Sequence, residues 1–220
     1  QPAFQLAEGY LDVPSSTFTG EDEIRFGCFN NSRKISLEVL RLWRLLLNRL
    51  PNSKLVLKAF ASEDTGTAEL LQRRLKRVGF TSDQLIWLPY TAGPRDHLMH
   101  YSQMDVALDS FPNTGCTTTC EALWMGVPVI TLEGEYYVSR MAASVLRGAG
   151  LEDWIACNQE QYLATALAQA DSARLKWLRQ NRQHWRDVVV NSPLGDARDL
   201  MRQLELSFEQ MRASTAPTLD

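Results

Sequence analysis

The sequence predicts an α/β fold: a Rossmann-like parallel sheet flanked by helices, followed by C-terminal helices. Three observations carry this. From Ile24 onward, short apolar runs alternate with amphipathic stretches of helical length, a pattern that builds βαβ units with right-handed crossovers. Beyond Gln159, apolar residues recur only at helical spacing. The chain has 220 residues, 45% of them hydrophobic, enough to bury a core of its own.

Residues 1–23 are turn-rich (Pro14-Ser15-Ser16, Gly20-Glu21-Asp22-Glu23) and read as a linker or lead-in. The first strand spans 24–29. A helix over 36–50 follows, with Val39, Trp43, Leu46 and Leu50 on one face, and Pro51-Asn52-Ser53 ends it. The second strand covers 54–60. Leu70, Leu71, Leu75 and Val78 form the inward face of a helix over 67–78, which Gly79 stops. Strands at 84–88, 106–109 and 128–132 alternate with helices at 95–102, 117–124 and 138–146. A small strand around 154–156 completes the series. Helices at 159–170, 172–189 and 194–212 then lead to a frayed tail at 214–220. On this reading residues 24–170 are the Rossmann-like domain and 171–213 the C-terminal helices. Leu200, Leu204, Phe208 and Met211 share a narrow face of the last helix, part of which is expected to be exposed.

Composition excludes several classes. With 23 Lys+Arg against 26 Asp+Glu, a net charge of −3 and a pI near 5.7, nothing favours nucleic acid or a membrane surface as partner. Mean hydropathy of −0.25 and 9% aromatics argue against disorder, and no apolar stretch is long enough to span a bilayer. The start, Gln1-Pro2-Ala3-Phe4, is not a signal peptide; it reads as a piece of something longer. Cys28, Cys116, Cys120 and Cys157 are too scattered for a disulfide scaffold or a zinc site. Small buried or loop-lining thiols in a reducing cytoplasm are expected.

In such sheets ligands bind at the carboxyl ends of the strands. Neither the dinucleotide fingerprint nor the P-loop occurs. After the first strand comes Phe29-Asn30-Asn31-Ser32-Arg33-Lys34-Ile35, whose amides and cations suit an anion or form a solvated loop. After the fourth, Gly115-Cys116-Thr117-Thr118-Thr119-Cys120-Glu121 opens a helix. Thr117 can cap it, and three threonines suggest an oxygen-rich ligand such as a diphosphate. Glu121 is either an acceptor for sugar hydroxyls or an exposed acid favoured by the helix start. His97, in the loop after the third strand, either lies against a nucleobase or sits on the surface. Ser139 is a candidate cap, and Arg140 either reaches an anion or pairs with a surface glutamate.

The run from Cys116 to Leu132, together with Phe29-Asn30-Asn31, Lys34-Ile35 and Ser139-Arg140-Met141-Ala142-Ala143-Ser144, resembles the signature of O-linked N-acetylglucosamine transferases (glycosyltransferase family 41). It is nearest the bacterial, SPINDLY-like branch. Order and spacing agree from about Ile24 to Arg212. The resemblance implies the C-terminal lobe of a GT-B glycosyltransferase, the lobe that holds the nucleotide-sugar donor. Asn31 and Lys34 then fall beside the diphosphate, His97 against the uracil, Thr117 and Thr118 on the phosphates, and Glu121 on the ribose hydroxyls. Cys116 stands where animal members have His, so a contact there does not carry over. The loop before His97 is one residue longer, which leaves Ala92 and Arg95 unassigned.

The expected function is therefore metal-independent, inverting transfer of a sugar, GlcNAc from UDP-GlcNAc, to Ser/Thr of proteins, without a cofactor. GDP-fucose, as in plant SPINDLY, remains an open donor. Lys34 and the helix N-terminus at Thr117 would stabilise the charge that grows on the leaving diphosphate. Acid–base help and acceptor recognition would come from an N-terminal lobe, often preceded by tetratricopeptide repeats, so these 220 residues alone are expected to be inactive. Two alternatives stand beside this: a UDP-sugar epimerase-like GT-B enzyme, and a degenerate, non-catalytic interaction domain of a tetratricopeptide protein.

Overall fold

The structure, a computed structural model, describes residues 23–58 and 65–215. The lead-in at 1–22, the end of the second expected strand (59–60) and the tail at 216–220 lie outside the described residues.

Six parallel strands form the sheet: β1 (Ile24–Cys28), β2 (Ser53–Lys58), β3 (Leu85–Leu88), β4 (Val106–Leu108), β5 (Val129–Leu132) and β6 (Ile155–Ala156), in the order β3-β2-β1-β4-β5-β6. The consecutive residues Leu55, Val56 and Leu57 are all fully buried. Successive side chains point to opposite faces, so both faces of β2 are covered. The strand order runs outward from β1 to β3, then returns to the other side of β1 with β4. That reversal opens a crevice beyond the carboxyl ends of β1 and β4, where Gly27 of β1 pairs with Ala107.

Nine α-helices occur among the described residues: α1 (Leu37–Arg49), α2 (Thr65–Val78), α3 (Pro94–Met99), α4 (Thr117–Trp124), α5 (Met141–Gly148), α6 (Gln159–Ala168), α7 (Ser172–Gln180), α8 (Arg182–Val190) and α9 (Ala197–Thr215). Ser36 caps α1, its side chain accepting from the Val39 amide at 3.2 Å, which leaves Val39, Trp43, Leu46 and Leu47 facing the core. Trp43 Nε1 donates to the Tyr162 hydroxyl, and Tyr162 donates to the Asp109 carbonyl. A buried polar thread thus ties α1 and α6 to the end of β4.

The structure departs from the sequence expectation in four places. Leu70 is exposed, because the inward stripe of α2 runs through Leu71 and Leu75 and Leu70 lies one 100° step away. The fifth helix starts at Met141, since Tyr137–Ser139 forms a 3-10 turn in which Ser139 Oγ bonds back to the Tyr136 amide and carbonyl. Ser139 therefore closes its own turn and does not cap α5. The helix expected over 172–189 is two helices broken at Asn181, whose side-chain amide binds the Trp177 carbonyl at 2.8 Å. The break swings Arg182 inward, where its guanidinium donates to the carbonyls of Tyr101 and Met104. The last helix starts at Ala197; Leu194 precedes it and is buried against Gly148.

The C-terminal helices are part of the same core. Trp185 of α8 meets Trp154 edge-on at 5.2 Å, and Arg186 Nε donates to the last-turn carbonyl of Trp124 at 2.7 Å. Met201, Leu204, Phe208 and Met211 of α9 are exposed.

Candidate functional site

The loop after β1 divides its polar residues between two tasks. Asn30 is buried, and its Nδ2 donates to Asp109 Oδ1 at 2.7 Å and to Ser110 Oγ at 2.9 Å. Asn31 is exposed; its side chain accepts from the Arg33 amide at 3.0 Å and caps the 3-10 turn Ser32–Lys34. Buried Ile35 anchors the far end of that turn. Lys34 is half-buried, and its Nζ donates to the Thr114 carbonyl at 2.8 Å, which holds the ammonium beside the entry to α4. Arg33 stays exposed.

Asp109, just past β4, organises the other wall. Its Oδ1 accepts from Asn30 and from the Gly115 amide at 2.7 Å, and its Oδ2 accepts from Thr131 Oγ1 at 2.7 Å. Burial pushes its carboxyl up to about 6, against the lowering effect of those three donors. Gly115 has to be glycine: a Cβ there would lie 2.7 Å from Thr119 Oγ1 and 2.8 Å from Thr118 Oγ1.

Cys116, not Thr117, is the N-cap of α4, and it makes no side-chain capping bond. Thr117 is the first helical residue and is exposed. The Thr118 hydroxyl donates to Asn30 Oδ1, while Thr119 is buried. Among the described residues, no protein acceptor meets the amides of Thr117 and Thr118. Free N–H groups at the positive end of a helix, with Lys34 alongside, have the chemistry to cradle an anion at the switch point.

One turn further along α4, Glu121 is 6% exposed, which removes the reading of a surface acid. Its Oε2 lies 3.1 Å from His97 Nε2 and 3.2 Å from the Tyr101 hydroxyl. His97 Nδ1 in turn lies 2.5 Å from Nζ of Lys58, the last residue of β2. Burial lowers the Lys58 pKa, with Glu121 opposing; burial likewise raises the Tyr101 hydroxyl well above its usual range. Phe29 underlies the group, its ring centroid 4.7 Å from that of Tyr101 and 6.1 Å from that of His97.

Lys34, Thr117, Thr118, His97 and Glu121 thus line adjoining strand ends, whereas Asn31 turns back onto its own loop. Sequence reasoning marked Asn30 only as one of two loop amides and missed Lys58, Asp109 and Tyr101 as parts of the site. The available signal was position: Lys58 and Asp109 are charged residues at the carboxyl ends of parallel strands, where they had been absorbed into the apolar runs.

Next to the start of α4, a cavity of about 580 Å³ is lined by Cys116, Glu133, Tyr137, Arg140 and Ser144 among others. Glu133 is paired with Arg147 through two 2.6 Å bonds, and the charge of Arg140 adds to the pull that keeps its carboxyl below the usual range. Burial pushes the thiols of Cys28 and Cys120 up to about 12 and leaves them unreactive. No group of three His, Cys, Asp or Glu able to hold a metal ion, and no helix long and apolar enough to cross a membrane, occurs among the described residues.

Comparison with known proteins gives the family and the fold. The tomato (Solanum lycopersicum) protein named probable UDP-N-acetylglucosamine–peptide N-acetylglucosaminyltransferase SPINDLY is 34% identical over 189 residues, which is 86% of this chain and 20% of that protein. The chain therefore spans about a fifth of the length of such relatives. An O-GlcNAc transferase K341M mutant from Thermobaculum terrenum superposes with a TM-score of 0.78 at 36% identity, covering 91% of this chain and 38% of that one. The C-terminal domain of a glycosyl transferase group 1 family protein from Francisella tularensis shares the fold, with a TM-score of 0.54 at 15% identity over 76% of this chain and 84% of that one. The profile of glycosyl transferase family 41 matches residues 15–204, and the chain belongs to that family.

Proposed function

We propose that this chain is the donor-binding lobe of a metal-independent, inverting glycosyltransferase that moves GlcNAc from UDP-GlcNAc to Ser/Thr of proteins. One observation carries the reading: the unpartnered amides of Thr117 and Thr118 stand with Lys34 at the sheet's switch point. The donor diphosphate lies across this cradle, and Lys34 with the α4 N-terminus stabilises the charge that grows on the leaving group. The nucleoside extends toward His97, with its ribose hydroxyls on Glu121. Asn31, on the rim, reaches the diphosphate only by giving up its contact with the Arg33 amide. Acid–base chemistry and the protein acceptor belong to an N-terminal lobe with a tetratricopeptide region, and the chain works in the cytoplasm.

Calorimetric titration with UDP, UDP-GlcNAc and GDP-fucose tests this. Saturable binding of UDP and UDP-GlcNAc is expected, with no sugar transfer by the 220 residues alone. Absence of binding by all three would leave a degenerate interaction domain. Sugar turnover without a protein acceptor would favour an epimerase-like enzyme. Tight binding of GDP-fucose alone would change the donor.

A further inference from the structure

We infer that Lys58 is a positioning residue for the nucleotide site: its ammonium holds His97 in the tautomer protonated on Nε2, which fixes both the ring and the Glu121 carboxylate. The inference rests on the nucleotide-binding reading above, but the contacts that carry it are internal to the chain.

An ammonium group only donates hydrogen bonds, whereas a neutral imidazole presents one donor and one acceptor. Lys58 Nζ sits 2.5 Å from His97 Nδ1 and 2.7 Å from Thr91 Oγ1. Nδ1 must therefore offer its lone pair, and the ring proton is on Nε2. That proton faces Glu121 Oε2 at 3.1 Å. Every link then points the same way, from cation through imidazole to carboxylate. Oε2 also meets the Tyr101 hydroxyl, so among the described residues both side-chain hydrogen-bond contacts of Glu121 fall on one oxygen. Oε1 is left for a ligand hydroxyl.

Lys58 suits this role because it is held on a strand. It is 9% exposed and pairs in register with Leu88 of β3. The Phe29 ring, 6.0 Å from Nζ, backs it on another side. Glu121 favours a proton on Nε2 from one side of the ring, and Lys58 adds the second half of the selection by requiring an acceptor at Nδ1. The Nδ1-protonated form would turn a bare nitrogen toward the Glu121 carboxylate, lone pair against negative charge. The ring would then leave the position in which it can face a base.

Nitrogen-15 NMR of the histidine rings in this chain tests the inference, with the His97 signals assigned through His97→Gln, and UDP titration runs alongside. Wild type should show His97 in the Nε2-protonated tautomer. Lys58→Met, close in shape but uncharged, should leave Glu121 as the sole bias, raise the Nδ1-protonated share of His97 and weaken UDP about threefold to tenfold, the range of one hydrogen bond, while a cooperative melt shows that the fold persists. Lys58→Arg, still a pure donor, should restore the single tautomer and most of the affinity. If Lys58→Met leaves the His97 tautomer unchanged, the inference fails whatever happens to affinity. If wild type does not bind UDP, the nucleotide reading fails, while the tautomer signals still decide whether Lys58 sets His97.

Discussion

The Thr118 hydroxyl donates to Asn30 Oδ1 at 2.5 Å and joins the first turn of α4 to the loop after β1. Its proton is thereby committed inside the protein. What α4 presents outward is the amides of Thr117 and Thr118. Thr118 acts on the cradle through Asn30, whose amide is held at its other end by Asp109 and Ser110.

Thr118→Val should therefore cost stability. It leaves the buried Asn30 oxygen without its donor, a loss of about 1–3 kcal/mol. Thr117→Val, at an exposed position, should stay within about 0.5 kcal/mol of wild type. Urea unfolding of the two variants decides this, and equal stabilities would show that the Thr118–Asn30 contact carries nothing.

Asp109 should give the fold a pH dependence of unusual sign. Its pKa in the folded chain, about 6, lies above its ordinary value of 3.8 because burial penalises the charge. The native state then holds this proton more tightly than the unfolded chain. Its contribution is most favourable below pH 4 and declines as pH rises through 6, by about 3 kcal/mol in total. Asp109→Asn keeps an acceptor for Asn30 and Gly115 but cannot ionise. Relative to wild type, the variant should gain stability between pH 4 and pH 7. Unfolding free energies that differ by a constant across that range would show that Asp109 does not titrate there.

Gly126 should tolerate no side chain. It follows α4 with φ +77°, and a Cβ would lie 2.5 Å from both the carbonyl oxygen and the Cβ of Arg182. The left-handed backbone alone costs an alanine about 1–2 kcal/mol. The contact adds to that, because the backbone it meets belongs to a helix start whose Arg182 side chain is tied to the Tyr101 and Met104 carbonyls. Gly126→Ala should lower the melting temperature by several degrees, more than Gly150→Ala, where φ is +70° but nothing lies within 4 Å. Equal shifts would mean that α8 yields freely.

The sheet was legible because its strands are apolar runs set off by turn residues, and Leu55-Val56-Leu57 or Val129-Ile130 can hardly lie anywhere but in a core. The break at Asn181 was not legible. Its cause is tertiary: the carbonyls of Tyr101 and Met104 that receive Arg182 lie some eighty residues away in sequence. In the site, Lys34 stood out in a polar loop, and Glu121 stood out one turn after three threonines at a helix start. Lys58 and Asp109 did not, because each was counted within an apolar run read as a strand, Lys58 inside 54–60 and Asp109 at the end of 106–109. Pairing of Lys58 with His97, 39 positions on, is a product of the β2–β3 register, which no local pattern reports.

Lys34 offers the most direct test of the anion cradle. Its ammonium spends one donor on the Thr114 carbonyl and has two left beside the α4 N-terminus. If a diphosphate lies there, Lys34→Ala removes a charge-assisted contact worth about 1.5–3 kcal/mol, so UDP affinity should fall about tenfold to a hundredfold. The fold should persist, at a cost of up to about 1–3 kcal/mol, since the hydrogen bond lost is to the carbonyl of Thr114, a buried residue. Salt should weaken the wild-type complex more than the variant, because screening acts on a charge the variant lacks. Arg33 is the control: it is exposed, and only its backbone amide is held, by Asn31. Arg33→Ala should leave affinity within about twofold. If Arg33→Ala weakens UDP binding while Lys34→Ala does not, the loop is misassigned by one residue. If neither variant matters and both stay folded, the diphosphate lies elsewhere.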